Sequence, residues 1–192
     1  MGLFDKLKGR KETVDCSTAH NATPKFDGKS DGIDESKFLP FYQAIANKLD
    51  EIVPEEWDEI VMYAEEFAGT ATANFYYRQH KDEKYLSGGK IPDDYGVDTK
   101  THLRLIQELI ANVKNFKKEY LRQNQKEWKA LTFYLRNDFK FRVEYSYEIN
   151  EEVDSYERQI YWAYETLGIE PTGDYGKTIL NKYLESKRLN DK

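Results

Sequence analysis

Apolar side chains recur every three or four residues from Phe38 to Ile52, which is the spacing of one face of an α-helix. Pro40 is compatible with the first turn of this helix, because the backbone N–H groups there have no partner within the helix. Pro54 follows the last apolar position and is expected to end the helix. The predicted buried face consists of Phe38, Phe41, Tyr42, Ile45, Leu49 and Ile52.

After Pro54 the apolar spacing changes to every second residue, which indicates a β-strand. Its two faces consist of Ile60, Met62 and Ala64 and of Val61, Tyr63 and Glu65. A second run, TATANFYYR, follows Gly69 after a very short connection, so we expect the two strands to form an antiparallel hairpin. Trp57 stands between the helix and the strand. We expect its ring to close the corner between helix and sheet rather than to stack on a ligand.

Three further stretches have helical spacing. The first covers residues 99–123, with Asp98 available to accept hydrogen bonds from its free N–H groups. The second begins after Asp154 and ends at Gly168, and the third covers residues 174–187. Their predicted inner faces are Leu103, Ile106, Ile110, Val113, Phe116 and Tyr120, then Tyr156, Ile160, Ala163 and Leu167, then Ile179, Leu180, Tyr183 and Leu184.

A second hairpin is predicted between the first two of these helices. The runs WKALTFYLR and FKFRVEYSYE are separated by Asn137 and Asp138, whose short polar side chains tolerate a tight turn. In the second run, large apolar residues alternate with polar ones, so one face packs and the other meets water. Residues 79–98 are rich in Gly, Pro and Asp and are expected to form a loop with room for a short strand near Tyr85.

These elements predict an α+β fold, in which an antiparallel sheet of about four strands, formed by the two hairpins, packs against helices. The first 36 residues are polar and hold few large apolar side chains, so they cannot bury enough surface to offset their ordering entropy. We therefore expect a flexible polar extension over residues 1–36 and one folded domain over residues 37–192.

Composition narrows the classes of function. The chain has 192 residues, of which 15% are aromatic, and its formal net charge is -6. An acidic chain is a poor binder of nucleic acid, because such proteins gain affinity by neutralising phosphates with cations. The single cysteine, Cys16, and the lack of a long apolar segment near the start favour a protein of the reducing cytosol without a membrane span.

No catalytic or cofactor-binding constellation is visible in the sequence. The three histidines, His20, His80 and His102, are scattered, and no zinc, phosphate-loop or nucleophile-elbow motif occurs. Glu65 and Glu66 are neighbours in a strand and point to opposite faces, so they cannot share a proton as an acid–base pair. We expect no enzyme activity, no cofactor and no metal.

Acidic residues recur at the predicted strand ends and loops, near tyrosines. Negative surfaces of this kind speed and orient docking onto a basic protein, although they can also serve solubility alone. We therefore expect the partner to be a basic protein. On charge and expected exposure, the candidate partner-binding residues are Glu65, Glu66, Asp93, Asp94, Tyr95, Glu151 and Glu152.

Three separated blocks, FYQAIANKLDEIVPEEWDEIVMYAEE, WKALTFYLRNDFKFRVEYSYE and SYERQIYWAYETLGIEP, resemble in this order the YezG family of bacterial immunity proteins, which includes the EsaG-type antitoxins. The resemblance implies a cytosolic antitoxin without turnover of its own. Its partner would be the nuclease domain of a toxin exported by a type VII secretion system, often of LXG architecture. The resemblance assigns no contact residue in this chain, because immunity proteins vary where they meet their toxin.

Two other functions stay open at this point. An adaptor or secretion chaperone would keep such a toxin competent for export without inhibiting it, and its loss would abolish secretion without causing toxicity. An enzyme of unrecognised type would show turnover that depends on a metal or a substrate.

Overall fold

The computed structural model describes residues 35–79, 83–123 and 126–190. The extension predicted for residues 1–36 lies outside this range except for Glu35 and Ser36, which begin a short 3₁₀ helix, Glu35–Phe38. The chain divides into two units, with the boundary between Tyr147 and Glu148. The first unit holds a sheet with helices, and the second holds a pair of helices.

Five antiparallel strands form one sheet in the described part of the first unit. They are β1 (Trp57–Phe67), β2 (Thr70–Gln79), β3 (Tyr85–Ser87), β4 (Ala130–Arg136) and β5 (Phe141–Ser146). Their order across the sheet is β3-β2-β1-β4-β5. The α+β class and the two predicted hairpins, β1–β2 and β4–β5, are confirmed. The fifth strand is the short β3, which lies at one edge of the sheet. It corresponds to the short strand near Tyr85 for which the sequence left room.

The β1–β2 hairpin closes through two residues, Ala68 and Gly69, so that Phe67 pairs directly with Thr70. Both turn residues have a positive φ, of 49° and 80° respectively. A type I′ turn requires this conformation, and its twist matches that of the flanking strands. Gly69 adopts it at no steric cost, whereas the Cβ atom of Ala68 makes it unfavourable there.

β1 is the central strand, and both of its faces are buried. The faces consist of Ile60, Met62 and Ala64 and of Val61, Tyr63 and Glu65, as predicted. None of the six side chains is more than 6% exposed. Neighbouring side chains explain the burial of the second face. Val61, for example, is paired with Tyr76 on β2 and with Tyr134 on β4, and all three side chains lie on the same face. The alternation is confirmed, but the second face is closed to water along this strand.

Three α-helices belong to the described part of the first unit: α1 (Leu39–Ile52), α2 (Ile91–Tyr95) and α3 (Thr99–Arg122). α1 ends before Pro54, as predicted, and Pro40 lies in its first turn. The cap of α3 is also confirmed, since Asp98 Oδ2 accepts a hydrogen bond from the Thr101 N–H at 2.8 Å. α1 and α3 pack against the Ile60 face of the sheet and share one core with it.

The buried face of α3 differs from the predicted one in its first half. Leu103 is 55% exposed, and the buried position beside it is His102. The 3.6-residue repeat through Val113 and Phe116 leads back to His102, so the periodicity was present but a polar residue occupied its first position. The buried residues of the helix are His102, Leu105, Leu109, Val113, Phe116, Lys117 and Tyr120.

Aromatic rings fill the space between α1, α3 and the sheet. The Phe116 ring lies 5.1 Å from the Tyr42 ring, 5.6 Å from the Phe38 ring and 5.9 Å from the Trp128 ring, centroid to centroid. All four of these residues are at most 1% exposed. Ring pairs at such separations contribute beyond the area that they bury. The high aromatic content therefore serves the core of this unit.

Trp57 closes the corner between α1 and the sheet, as predicted. Its Nε1–H donates a hydrogen bond to Asp50 Oδ1 on α1 at 3.0 Å, and its ring meets the Phe139 ring edge-on at 6.3 Å. The side chain is only 5% exposed. The ring is thus satisfied within the fold and is not available as a platform for a ligand.

The second unit consists of α4 (Ser155–Leu167) and α5 (Asp174–Asn190). Both predicted ends of α4 are confirmed: Asp154 caps the start, and Gly168 with φ 67° ends the helix. A small core joins the two helices. Three residue pairs advance in the same direction along both helices, so α4 and α5 run roughly parallel. The pairs are Tyr156 with Tyr175, Tyr161 with Tyr183, and Glu165 with Lys187.

Tyr156 is not on the inner face of α4, which corrects the sequence prediction. It is 51% exposed and stacks on Tyr175, which is 65% exposed, with the two rings 6.1 Å apart and inclined by only 2°. The first turn of α4 lies beyond the small core formed by Ile160, Ile179 and Leu180. A large apolar residue at the right spacing therefore finds no core to enter and covers a second exposed ring instead.

Candidate functional site

Asp93, Asp94 and Tyr95 lie on α2, a short helix in the segment that was predicted to be a loop. Pro92 occupies its first turn, and Gly96 ends it with a positive φ of 63°. The two carboxylates are exposed, whereas Tyr95 is half-buried. The Tyr95 hydroxyl accepts a hydrogen bond from Gln79 Nε2 at 2.6 Å, which fixes α2 to the end of β2.

Tyr77 reports the electrostatic character of this region. Its hydroxyl donates to the Tyr95 hydroxyl at 3.4 Å. Its pKa is raised far above the ordinary value, first because burial disfavours the phenolate, and then through Tyr95 and the nearby charges of Asp94 and Glu55. Asp94 and Glu55, which are far apart in the sequence, therefore act on the same buried group.

More carboxylates stand at the neighbouring strand ends. Tyr85 on β3 donates a hydrogen bond to Glu59 Oε2 at 2.5 Å, and burial together with this bond raises the Tyr85 pKa to about 12. Arg78 lies 3.9 Å from a carboxylate oxygen of Asp58 and 3.9 Å from one of Glu59, so it compensates part of their charge. We call this region the acidic end; it consists of Glu55, Asp58, Glu59, Asp93 and Asp94.

Glu65 is buried, which corrects the exposure on which its choice as a candidate rested. It is 3% exposed, and the Tyr63 hydroxyl donates to its Oε1 at 2.5 Å. It lies between Thr72 on β2 and Ala130 on β4. A carboxylate at this position of a central strand contributes to the internal hydrogen bonding of the sheet.

Glu66 lies at the far end of β1 from the acidic end. It stands seven positions after Glu59, which corresponds to about 23 Å along a strand. Its backbone N–H donates to the Lys129 carbonyl at 3.0 Å, and its own carbonyl accepts from Lys117 Nζ at 2.6 Å. The structure thus does not bring Glu66 together with Asp93 and Asp94, although all belong to the first unit.

A cavity of about 480 Å³ opens beside Glu66, between the β1–β2 turn and the second half of α3. Its side of α3 carries Lys114, Lys117 and Lys118, and Lys129 comes from the segment before β4. Lys117 is only 5% exposed, and its Nζ lies 3.1 Å from Glu127 Oε1 and 5.1 Å from the centre of the Trp128 ring. We call this site the lysine cavity; it is lined by Glu66, Phe67, Ala68, Gly69, Lys114, Lys117, Lys118, Leu121, Glu127 and Lys129.

Sequence reasoning missed the lysine cavity, although one signal was available. Lys117 falls on the buried face of α3, next to Phe116 and one turn before Tyr120. A lysine among the apolar residues of a helical face indicates a buried cation that needs partners. The remaining contributors could not be foreseen, because Lys129 reaches the cavity through strand pairing rather than through proximity in the chain.

Glu151 and Glu152 belong to the second unit and are exposed in the turn before α4. The turn is tied down locally: Asn150 Oδ1 accepts from the Glu152 N–H at 3.1 Å, and Arg158 Nη1 donates to the Asn150 carbonyl at 2.9 Å. Asp154 Oδ1 accepts from the Glu157 N–H at 2.9 Å. The two carboxylates are therefore presented on an ordered turn that leads directly into the exposed Tyr156.

No group of three or more His, Cys, Asp or Glu side chains within residues 35–79, 83–123 and 126–190 is placed to hold a metal ion. Over the same residues, no helix combines the length and the apolar character that crossing a membrane demands.

Comparison with known proteins identifies the family. The profile described as immunity protein YezG-like matches residues 39–181. Immunity protein YezG of Bacillus subtilis is 31% identical over 145 residues, which cover 74% of this chain and 96% of the relative. Immunity protein YezG of Bacillus spizizenii is 28% identical over 156 residues, covering 80% of this chain and 97% of the relative.

A relative from another genus carries a different name. The type VII secretion system protein EsaG of Staphylococcus aureus is 23% identical over 145 residues, which cover 73% of this chain and 88% of the relative. The three relatives and the profile agree with the resemblance of the three sequence blocks. This chain therefore belongs to the YezG-like family of immunity proteins.

Proposed function

We propose that this protein is an antitoxin that binds a cognate protein toxin in the cytosol of the producing cell and neutralises it there. The observation that carries the proposal is the match of the YezG-like immunity profile across residues 39–181. The similarity to a protein named for the type VII secretion system supports a toxin exported by such a system. That this toxin has LXG architecture is part of the proposal. A nuclease is the toxin class that best suits the acidic end, because a groove that holds phosphates is basic.

The mechanism that we propose is occlusion by binding, without turnover. The acidic end offers exposed carboxylates on a rigid support, since α2 is hydrogen-bonded to β2 through Tyr95 and Gln79. Carboxylates held in this way attract a basic surface over a distance and need little ordering when it docks. A bound antitoxin of this kind keeps the substrate of the toxin out of its active groove.

The contact residues that we propose follow from this arrangement. Asp93 and Asp94 contact the toxin directly, and Tyr95 positions them. Glu151 and Glu152 form a second contact, supported by the exposed rings of Tyr156 and Tyr175, because tyrosines are frequent anchors of protein interfaces. Glu65 stays within the fold, and the role of Glu66 depends on the lysine cavity.

A second function, an adaptor or secretion chaperone for the same toxin, is favoured by one observation. The Staphylococcus aureus relative is named as a protein of the type VII secretion system rather than as an immunity protein. This function also requires binding of the toxin, so binding alone does not distinguish it from neutralisation.

Coexpression with the toxin encoded nearest to this gene tests the proposal. We expect the toxin alone to stop growth, the wild-type protein to restore it, and the two proteins to copurify as a complex. Combined Asp93→Asn, Asp94→Asn, Glu151→Gln and Glu152→Gln substitutions should weaken rescue. The Lys100→Gln variant, which changes an exposed charge at the start of α3, is the control. Normal growth with the toxin alone would count against neutralisation, and loss of toxin secretion on deletion would then identify an adaptor.

A further inference from the structure

The lysine cavity has the opposite charge from the rest of the molecule. Four lysines and two glutamates line it, a surplus of two positive charges, whereas the whole chain has a formal charge of -6. Three of the lysines, Lys114, Lys117 and Lys118, lie within two turns of α3, where like charges repel each other. A bound anion would relieve this repulsion.

The four lysines of the cavity differ in whether their ammonium groups already have partners within the protein. Lys117 is held by the Glu66 carbonyl and by Glu127, and Lys129 Nζ lies 5.2 Å from the centre of the Phe67 ring. Lys114 and Lys118 are exposed and make no hydrogen bond or ion pair with any residue that the structure describes. They are four residues apart and therefore project from the same side of the helix. These two ammonium groups are the available donors of the cavity.

The walls of the cavity are fixed rather than adaptable. The β1–β2 turn supplies Phe67, Ala68 and Gly69, and backbone hydrogen bonds hold Glu66 to Lys129 and Lys129 to Ser146. Lys117 is only 5% exposed, and its hydrogen bond to the Glu66 carbonyl joins α3 to the end of strand β1. The two free lysines thus stand at the mouth of a preformed site of the size that proteins use for ligands.

We propose that the lysine cavity receives an acidic side chain of the partner protein, so that the partner docks in one orientation. This inference rests on the proposed function, in which the partner is a protein toxin. Nucleic acid is a poorer occupant, because the acidic end on the same unit repels phosphates. The acidic end and the lysine cavity are separated by about 23 Å along β1, so a partner must present a basic and an acidic patch in matching order.

A substitution of Glu66 should change the affinity for the partner in the opposite direction from a substitution of the lysines. Its Oε2 atom is buried and has no hydrogen-bond partner among the described residues, and the residue lines the cavity. A carboxylate in this place repels an incoming carboxylate. Removing its charge by Glu66→Gln should therefore strengthen binding, while removing the lysine charges should weaken it.

The experiment measures the dissociation constant of the complex between the full-length protein and the toxin encoded nearest to its gene. We expect the Lys114→Gln/Lys118→Gln variant to bind about tenfold more weakly and Glu66→Gln to bind about threefold more tightly, because charges at an interface change affinity on this scale. Lys100→Gln, an exposed lysine in the first turn of the same helix, should bind within about twofold of wild type. Circular dichroism and the melting temperature check that each variant is folded.

If the wild-type complex forms and the double lysine variant binds with unchanged affinity, the inference is overturned while the proposed function stands. If no complex forms, the proposed function fails. The inference about the cavity is then tested with N-acetylglutamate, which serves as a probe for an acidic side chain. Added at constant ionic strength, it should shift the amide resonances of Phe67, Ala68 and Gly69 to saturation in the wild type and not in the double variant. Absence of these shifts in the wild type would then overturn it.

Discussion

Trp57 illustrates how one residue joins two elements. Its indole N–H donates a hydrogen bond to Asp50 on α1, and its ring contacts Phe139 in the turn between β4 and β5. The ring was predictable from the sequence as the corner of the fold, because a tryptophan stood between a helical and a strand-like pattern. The hydrogen-bond acceptor could not be predicted. Asp50 lies on the polar side of the helical pattern, and any of several residues there could have accepted the bond.

A double-mutant cycle on Trp57 and Asp50 measures this bond. We expect Trp57→Phe to lower the free energy of unfolding by about 1–3 kcal/mol, through a lost hydrogen bond and a smaller ring. Asp50→Ala should cost less, and the coupling between the two should be about 0.5–1.5 kcal/mol. Urea denaturation gives all four values. Strict additivity would show that the two side chains contribute independently.

His102 makes stability depend on pH. Burial lowers its pKa below the ordinary value, so the unfolded chain binds a proton more readily than the folded one as the pH falls. Its contribution is therefore complete above about pH 6.5 and is lost as the pH falls toward the lowered pKa of the folded state. We expect the wild type to lose more stability between pH 7 and pH 5 than His102→Leu or His102→Gln.

The two histidine variants control for each other. Leucine and glutamine pack differently, so their stabilities at pH 7 should differ, but neither titrates in this range. A shared reduction in pH dependence, seen in urea unfolding at a series of pH values, isolates protonation from packing. A pH dependence equal to that of the wild type in both variants would assign the effect to another group.

At the scale of elements, periodicity predicted most of the fold. Strand alternation and helical spacing located both hairpins and every α-helix described except α2, because packing on one face imposes these repeats. α2 is too short to show a repeat and lies in a segment rich in Gly, Pro and Asp. β3 is three residues long, and pairing with β2 rather than its own sequence makes it a strand.

The β1–β2 turn allows a stabilising substitution. Ala68 adopts a φ of 49°, which asparagine and glycine tolerate better than alanine does. We expect Ala68→Asn, which creates the Asn-Gly sequence preferred in type I′ turns, to raise the free energy of unfolding by about 0.5–1 kcal/mol. Gly69→Ala, at a φ of 80°, should destabilise by a similar amount or more. Thermal unfolding of the two variants tests this, and equal effects of the same sign would contradict it.

At the scale of the molecule, the distribution of charge was less predictable than the fold. The sequence shows an acidic chain, and the seven candidate residues were chosen one by one on charge and expected exposure. The structure instead buries Glu65, places Glu66 among lysines, and separates both from Asp93 and Asp94. The distribution of charge over the surface depends on which strand ends and helix turns lie next to each other in the fold. The net charge of the sequence does not determine this arrangement.

The acidic end predicts how the rate of toxin binding depends on salt. Long-range attraction acts mainly on association, so Asp93→Asn/Asp94→Asn should lower the association rate constant several-fold at low ionic strength and less at high ionic strength. The dissociation rate should change little. Glu170→Gln/Glu185→Gln removes the same two charges from exposed sites of the second unit and serves as the matched control. Stopped-flow or surface-binding kinetics at several salt concentrations give both rates. An unchanged association rate with faster dissociation would instead place these carboxylates in close, desolvated contact with the toxin.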